Sequence, residues 1–404
     1  MNPLLTSLCM KFRSPLRGPW LTSVLGVALL AALPLVIATG LLDYVAYGPG
    51  QSIPGDVGLL HLPAVDWPTR PSWLFRLTQG LHVGVGLVLV PVVLAKLWSV
   101  IPRLFVWPPA KSVAHALERA TLLMLVGGIL FEIVTGLMNI QYDYAFGFSF
   151  YTAHYIGAWV FLAGFVAHVV LKLPAARRAL RTRSLRAELR VPVGATVPEP
   201  PDDGLVATDP APPTMSRRGA LALVGGGALF VATITAGQTL GGPLRDLAVL
   251  LPRGREDFPI NRTAAAAAID PAATGAAWRL TLGPRSLGRA ELLRLPQHTA
   301  RLPIACVEGW STVQDWTGVR LRDLAALAGV ASPGSASVES LDEGPFGRAT
   351  LSAGQLLDPD ALLALRVNGV DLSPDHGFPA RVVVPALPGV HCTKWVRSIT
   401  FRAA

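Results

Sequence analysis

The chain has 404 residues, of which 51% are hydrophobic and only 15% are charged, and its mean hydropathy is +0.46. This composition is too apolar for a soluble protein of two domains and indicates membrane-spanning segments. The formal net charge is +9, but the basic residues cluster beside apolar segments and form no stripe interleaved with aromatic residues, which argues against a nucleic-acid partner.

Five apolar runs are long enough to cross a bilayer. They cover roughly residues 20–42, 76–98, 118–140, 148–171 and 217–240. Lysine and arginine concentrate before the first run, between the second and third, and after the fourth. The positive-inside rule therefore predicts a multi-pass protein of the cell membrane, in contact with lipid, with a cytoplasmic N-terminus and an extracytoplasmic C-terminal domain.

The stretch between the fourth and fifth runs is rich in Pro, Asp and Ala at residues 191–215. Such a composition without periodicity predicts a disordered cytoplasmic linker, which we place at residues 176–215. Arg217 and Arg218 then precede a Gly-rich, weakly apolar run, and residues 216–242 resemble an internal twin-arginine export signal. The alternative is that both arginines are ordinary topology charges.

Histidines lie in the apolar runs: His82 in the second, His154 and His168 in the fourth, with His115 near the start of the third. Ionisable side chains in a membrane span are costly and indicate function, and imidazole is a common axial ligand of haem iron. His154 and His168 are 14 residues apart, about 21 Å along one helix, which suits two haems at different depths. By depth, His82 pairs with His154 and His115 with His168. The alternative is helix packing with hydrogen bonds between helices.

Residues 76–98, 115–119 and 154–174, which carry these histidines, resemble bacterial transmembrane cytochrome b proteins of the b561 type. The resemblance covers residues 1–175 and implies an all-α four-helix haem bundle that holds one or two b haems. The first run contains no histidine, so ligation patterns that use that helix do not carry over.

The C-terminal part has a soluble character, with short runs of Val, Ile and Leu between Gly and Pro turns. This pattern predicts an α+β domain at residues 250–404. Strands are expected at 278–282, 381–384 and 395–401, and short helices at 321–328 and 358–366. Cys306 and Cys392 share this domain, and one disulfide between them is an alternative to a metal-ligand role for Cys306.

Cys306-Val-Glu-Gly-Trp-Ser, and later His376-Gly-Phe-Pro-Ala-Arg381 followed by Lys394-Trp-Val, resemble two segments of the sulfite oxidase family of molybdenum enzymes. These are the segment of the molybdenum-ligating cysteine and the pterin-binding signature. The resemblance covers about residues 255–404 and implies a sulfite oxidase-type fold that binds Mo-molybdopterin. It implies that Cys306 is the catalytic ligand of molybdenum, for which a soft thiolate is suited.

The same resemblance implies a set of pterin contacts. They are Asn261, Arg262, Asp342, His376, Arg381, Cys392, Thr393 and Lys394. Arg262 stands where histidine is common in the family. Arginine suits a cofactor phosphate because its planar fork donates to two oxygens at once. Lys394 is the only lysine of this domain.

The expected protein is thus a haem bundle, a fifth transmembrane helix and a molybdopterin domain in one chain. We expect a membrane-bound oxidoreductase that exchanges an oxygen atom with a small oxo-transfer substrate or with oxidised protein methionine. Electrons would pass through the outer and inner haems to or from quinone. Two alternatives remain: a molybdoenzyme whose helices are only an anchor, and a cytochrome b with an inactive, partner-binding molybdopterin-like domain.

Overall fold

The computed structural model describes residues 12–48, 57–104, 112–141, 148–200, 204–344 and 346–404. The chain divides into two compact units. The first comprises residues 1–37, 85–137 and 153–232, and the second comprises residues 38–84, 138–152 and 233–404. The long helices therefore contribute to both units, and one end of the first two helices belongs to the C-terminal unit.

Five helices are long and apolar enough to cross a membrane, at the positions that hydropathy predicts. The first four are α1 (Pro19–Tyr47), α2 (Leu74–Leu104), α3 (Val113–Gln141) and α4 (Phe150–Thr182), and a short α5 (Leu185–Glu188) follows. The fifth span begins with α6 (Arg217–Thr233) and ends with α7 (Gly237–Leu240). Within the first unit the helices pack through apolar side chains such as Leu33, Leu89 and Phe161.

The stretch expected to be a disordered linker has defined contacts where the structure describes it. Glu199 accepts a hydrogen bond from the backbone N–H of Trp20 at 2.9 Å. Glu188 forms an ion pair with the buried guanidinium of Arg217 at 3.2 Å. The structure differs from the expectation because acidic side chains of this stretch find donors on α1 and α6, which are distant in sequence.

The C-terminal unit contains two five-stranded sheets and short helices. The strands are β1 (Arg279–Leu282), β2 (Arg285–Gly288), β3 (His298–Ala305), β4 (Ser311–Arg320), β5 (Pro333–Ser340), β6 (Arg348–Ser352), β7 (Leu362–Val367), β8 (Val370–Asp371), β9 (Arg381–Val383) and β10 (Val396–Ala403). The first sheet has the order β2-β1-β10-β5-β6. The second has the order β3-β4-β7-β8, and β9 also pairs with β7.

The short helices of this unit are α8 (Pro271–Thr274), α9 (Arg289–Arg294), α10 (Leu321–Leu327) and α11 (Ala353–Leu357). The helix predicted at residues 358–366 is wrong, because most of that segment forms β7. Four consecutive residues at the start of β7 are buried, and the strand pairs with β4 and β9. A continuous apolar run fits a buried strand as well as a buried helix, so periodicity does not distinguish them.

The main core of the C-terminal unit includes side chains from the ends of the long helices. Tyr47 of α1 and Phe75 of α2 are buried in one cluster with Leu282, Val338 and Leu363 of the sheets. The indole of Trp67, in the segment before α2, donates to the carbonyl of Ala386 at 2.8 Å. The first turns of α2 are therefore fixed against the sheets, which positions the site described next.

Candidate active site

Cys306 directly follows β3 and begins a tight turn. Its backbone N–H donates to the carbonyl of Trp310, and the N–H of Gly309 donates to the carbonyl of Cys306, each at 3.0 Å. Gly309 has φ +88°, a conformation that favours glycine. Burial raises the pKa of the Cys306 thiol, and the neighbouring Glu308 raises it further. A bound metal cation would stabilise the thiolate in this site.

The buried side chain of Glu308 stabilises the same turn. Its side chain is fully buried, and it accepts hydrogen bonds from the indole of Trp310 and from the guanidinium of Arg253. Burial raises the pKa of Glu308, whereas Trp310 and Arg253 lower it. The turn is therefore fixed by a buried ion pair in addition to its backbone hydrogen bonds.

A cleft of about 380 Å³, open solvent included, lies between segments that the sequence singles out. Its lining includes Asn261, Arg262, Asp342, Arg381, Cys392, Thr393 and Lys394. These seven predicted residues come from four separate parts of the chain. Cys306 and His376 are not part of the described lining.

The cleft is rich in cationic side chains. Arg381 is buried, and its Nε donates to the carbonyl of Cys392 at 3.1 Å. The Lys394 ammonium donates to the carbonyls of Arg262 and Asp375, each at 2.8 Å. Burial, and after it the charge of Arg381, lower the pKa of Lys394 to about 7. Arg381 and Lys394 line the same cleft, and an anionic ligand there would compensate their charge.

His376 contributes to the cleft indirectly. Its ring stacks on Phe258 with centroids 3.7 Å apart and planes at 19°, and its Nδ1 lies 2.8 Å from the hydroxyl of Ser373. Burial lowers the pKa of His376 to about 4, and Arg381 also lowers it. The neutral ring therefore holds the segment of Phe258 and Asn261 against residues 376–379.

Arg262 and Asp342 form an ion pair with an N–O distance of 3.1 Å. Asp342 is buried, and its other carboxylate oxygen accepts from the N–H of Gly344 at 2.8 Å. The arginine that stands in place of the family's histidine thus has a defined partner at the edge of the cleft.

Two polar side chains next to the cleft fit a polar ligand. The hydroxyl of Thr393 and both ring nitrogens of His391 are buried and have no hydrogen-bond partner within the described part of the chain. Burial lowers the pKa of His391 to about 4. Buried polar atoms normally have partners, so a bound group with acceptors and donors is expected here. Together with the cations, these atoms fit molybdopterin, an anionic and polar cofactor.

The two cysteines of this unit, Cys306 and Cys392, are both buried and both free. Both lie in one apolar cluster with Trp310 and Trp316. A disulfide between them is therefore not part of this structure. Burial also raises the pKa of Cys392. Cys9 lies outside the described residues.

His154, a predicted haem ligand, belongs to the first unit and has defined partners there. Its Nδ1 lies 3.0 Å from the hydroxyl of Thr135 and 3.2 Å from a carboxylate oxygen of Glu132, which is largely buried. A Cβ at Gly136 would lie 3.3 Å from its ring. Metal-ligating histidines commonly bind a carboxylate through the other ring nitrogen, which fits a ligand role for Nε2.

His82 belongs to the C-terminal unit, where its ring lies against the backbone of α1. A Cβ at Gly40 would come within 2.6 Å of the ring, so a larger residue there would require the ring of His82 to move. His115 and His168 are partly buried in the first unit. The pairing of His82 with His154, and of His115 with His168, stays a prediction.

Sequence reasoning missed Gly40, Glu132, Gly136 and His391. Glu132 had a detectable signal, because it is an acidic residue in the interior of an apolar run. His391 directly precedes Cys392 but matches no residue of the quoted signature. The two glycines had no signal of their own, because many other glycines occur in these helices.

Residues 267–404 match the family model described as "Oxidoreductase molybdopterin binding domain". A curated relative is the uncharacterized oxidoreductase YuiH of Bacillus subtilis (strain 168), 35% identical over 119 residues, which are 29% of this chain and 59% of that protein. Mouse mitochondrial sulfite oxidase is 33% identical over 142 residues, covering 28% of this chain and 26% of that protein. Volvox carteri NADH nitrate reductase is 38% identical over 97 residues, which cover 21% of this chain and 11% of that protein.

Among solved structures, the sulfane dehydrogenase SoxCD from Paracoccus pantotrophus is 26% identical, with 32% of this chain and 39% of that chain covered and a TM-score of 0.29. The chain spans three-fifths or less of the curated relatives described above. The matched region holds Cys306 and most of the cleft lining, whereas Asn261 and Arg262 precede it in sequence. The C-terminal region of this chain is therefore similar to the molybdopterin-binding domains of oxidoreductases such as sulfite oxidase.

Proposed function

We propose that this protein is a membrane-bound molybdopterin oxidoreductase that couples extracytoplasmic oxygen-atom transfer to electron transfer through membrane b haems, to or from quinone. The observation that carries the proposal is the cationic cleft beside Cys306. Most of its lining lies in the region that matches molybdopterin-binding domains, and the described chain has five helices of membrane-spanning length.

In this proposal Cys306 ligates molybdenum, and the bound cofactor supplies two-electron oxygen-atom transfer. Arg381 and Lys394 bind its anionic groups, because both are cations of the cleft whose hydrogen bonds within the described chain go to backbone carbonyls. Thr393 and His391 donate or accept through the atoms that are otherwise unpaired. His376 positions the segment of Asn261.

The haem part of the proposal assigns His82 and His154 to an outer b haem and His115 and His168 to an inner one. The haems would supply one-electron transfer toward quinone. Glu132 and Thr135 orient His154 through its Nδ1, and Nε2 would be the nitrogen that ligates the iron. The ring of His82 lies close to the backbone of α1 at Gly40.

The proposed location is the cell membrane, with the N-terminus cytoplasmic and the molybdenum domain outside, as the distribution of basic residues predicts. The domain would be exported folded by the twin-arginine route through Arg217 and Arg218, because its cofactor contacts are spread over most of the domain. The similar proteins are named for sulfite and nitrate, which favours a small oxo-transfer substrate over oxidised protein methionine.

A visible spectrum of the full chain, purified in detergent, tests the haem part. We expect a Soret band and an α-band that reduced quinol or dithionite intensifies. His154→Ala should remove the outer haem signal, and His61→Ala serves as a matched control, because His61 lies outside the long helices. A spectrum without a Soret band leaves the helices as an anchor. Haem without molybdenum in the purified chain favours the inactive, partner-binding domain.

A further inference from the structure

The Cys306 turn rests on the first turns of the membrane helix α2. Gln79 of α2 is buried, and its side-chain amide donates to the carbonyl of Val307 at 3.2 Å. Val307 is the residue after the proposed molybdenum ligand. The contact joins residues 228 positions apart, and both belong to the C-terminal unit. This hydrogen bond connects the cysteine turn with the membrane-spanning helix α2.

A second brace reaches the same turn from α7, at the end of the fifth span. The hydroxyl of Thr239 donates to the carbonyl of Gly309 at 3.0 Å, and the hydroxyl of Ser311 donates to the carbonyl of Thr239 at 3.0 Å. Arg76 of α2 also donates to that carbonyl, with its Nε at 3.1 Å. The turn is therefore held by both α2 and α7, and of these three hydrogen bonds only that of Gln79 comes from α2.

The turn also packs tightly against α2. A Cβ at Gly309 would lie 2.8 Å from a methyl group of Val83 and 2.8 Å from the side-chain nitrogen of Gln238. The backbone of the turn is therefore in van der Waals contact with α2. Gly309 is needed both for its positive φ and for this close approach.

His82 lies between these two contact residues on α2. Gln79 is three residues before it and Val83 is the next residue, so the contacts lie within about one helical turn, or roughly 5.4 Å along the axis, of His82. The ring of His82 is itself fixed against Gly40. One hydrogen bond thus joins the α2 segment of His82, the predicted outer-haem ligand, to the turn of Cys306, the predicted molybdenum ligand.

We propose that Gln79 is a positioning residue for electron transfer, which holds the α2 segment of His82 against the Cys306 turn and completes a bonded route between them. The route runs from Cys306 through the Val307 carbonyl and the Gln79 amide to α2 and His82. For each electron that passes, a ferrous b haem is oxidised to ferric and the oxidised molybdenum centre gains one electron, or the reverse, and no bond in the protein breaks. The inference rests on the proposed function.

The test uses the full chain with both cofactors and requires no known substrate. A flash-reduced flavin delivers one electron to the ferric haem, and re-oxidation of the haem by the oxidised molybdenum centre is followed at the α-band. The variants are Gln79→Met, which removes the donor, and Gln79→Glu, which keeps the shape. Thr239→Val is the matched control, because it removes one hydrogen bond to the same turn from α7.

We expect about tenfold slower molybdenum-dependent re-oxidation in both Gln79 variants, because one hydrogen bond of ordinary net strength favours the closed contact by about that factor. Haem content, molybdenum content and the haem midpoint potential should be unchanged. Thr239→Val should slow re-oxidation much less than Gln79→Met, because Thr239 is not part of the route from Cys306 to His82. Equal slowing in Thr239→Val and Gln79→Met would overturn the inference, since the contact would then only brace the turn. Wild-type rates in both Gln79 variants would overturn it as well.

Failure of the proposed function gives different results. A wild-type chain without haem, or haem re-oxidation that is equally fast in protein from a host that cannot make molybdopterin, would contradict the coupling itself. His82→Ala should remove a haem signal, and an unchanged haem spectrum in that variant would contradict the ligand assignment. None of these results resembles a rate loss confined to the Gln79 variants.

Discussion

Arg253→Ala should destabilise the C-terminal domain by leaving a buried carboxylate without its cation. Glu308 has no exposed side-chain surface, whereas the Arg253 side chain is 30% exposed, and their atoms approach to 2.5 Å. Breaking a buried ion pair costs about 3–5 kcal/mol. Because water reaches the Arg253 side and the Trp310 indole still donates to Glu308, we expect a loss at the lower end, about 3 kcal/mol.

The free energy of unfolding is measured by pulse proteolysis in urea on the detergent-solubilised full chain, with detection of the C-terminal domain. Arg397→Ala is the matched control, because Arg397 pairs with Glu339 at 3.4 Å and both side chains are well exposed, at 48% and 40%. Exposed pairs contribute about 0–1 kcal/mol, so the control should lose less than about 1 kcal/mol. Glu308→Gln added to Arg253→Ala should restore most of the lost stability.

The pH dependence has a defined sign. Burial raises the pKa of Glu308 above its ordinary value of 4.5, and Arg253 is one of the groups that lower it. Removal of Arg253 therefore raises this pKa further. When the pKa of a carboxyl is higher in the folded state than in the unfolded state, the free energy of unfolding falls as the pH rises from the lower value to the higher one. The penalty of Arg253→Ala should thus shrink as the pH falls toward 4.5. A loss no larger than that of Arg397→Ala, or one independent of pH, would refute the reasoning.

Three further predictions concern the cofactor site and export. Cys306→Ser should leave the protein inserted and folded but abolish oxygen-atom transfer, because a hydroxyl replaces the soft thiolate, and full activity would contradict the ligand role. In cofactor-free protein the lowered pKa of Lys394, about 7 against 10.5, means that the unfolded state binds more protons between these values. The free energy of unfolding should therefore rise with pH between these two values. Lys394→Met should flatten this rise. An equal slope in the wild type and the variant would contradict the role of Lys394. Arg218→Lys should keep the folded domain in the cytoplasm, where external protease cannot cleave it. Normal export of this variant would mean that Arg218 is only a topology charge. Arg217 is left unchanged because it is buried against Glu188.

The helices were predictable because a membrane span is specified by a local property, its length of apolar sequence. Cys306, Arg381 and Lys394 stand in short motifs with a recognisable spacing, and the structure brings Arg381 and Lys394 together in one cleft. Their roles as cofactor ligands stay predictions. The strand β7 was not predictable in this way. Its apolar residues are buried by β4 and β9, which are separated from it in sequence, and a local pattern carries no information on such partners.

The contacts that give the site its surroundings join distant parts of the chain. Gln79 and Val307 are 228 residues apart, and Glu132 reaches His154 from a different helix. Each of these residues looks ordinary in its own segment. Their roles follow only from the packing of the helices and the sheets.

Elemental analysis of the purified full chain tests the central claim most directly. The account predicts one molybdenum per chain together with one or two haem irons, and loss of molybdenum but not of iron in protein from a host that cannot make molybdopterin. A chain that contains iron but no molybdenum in a competent host, or molybdenum without iron, would contradict the account.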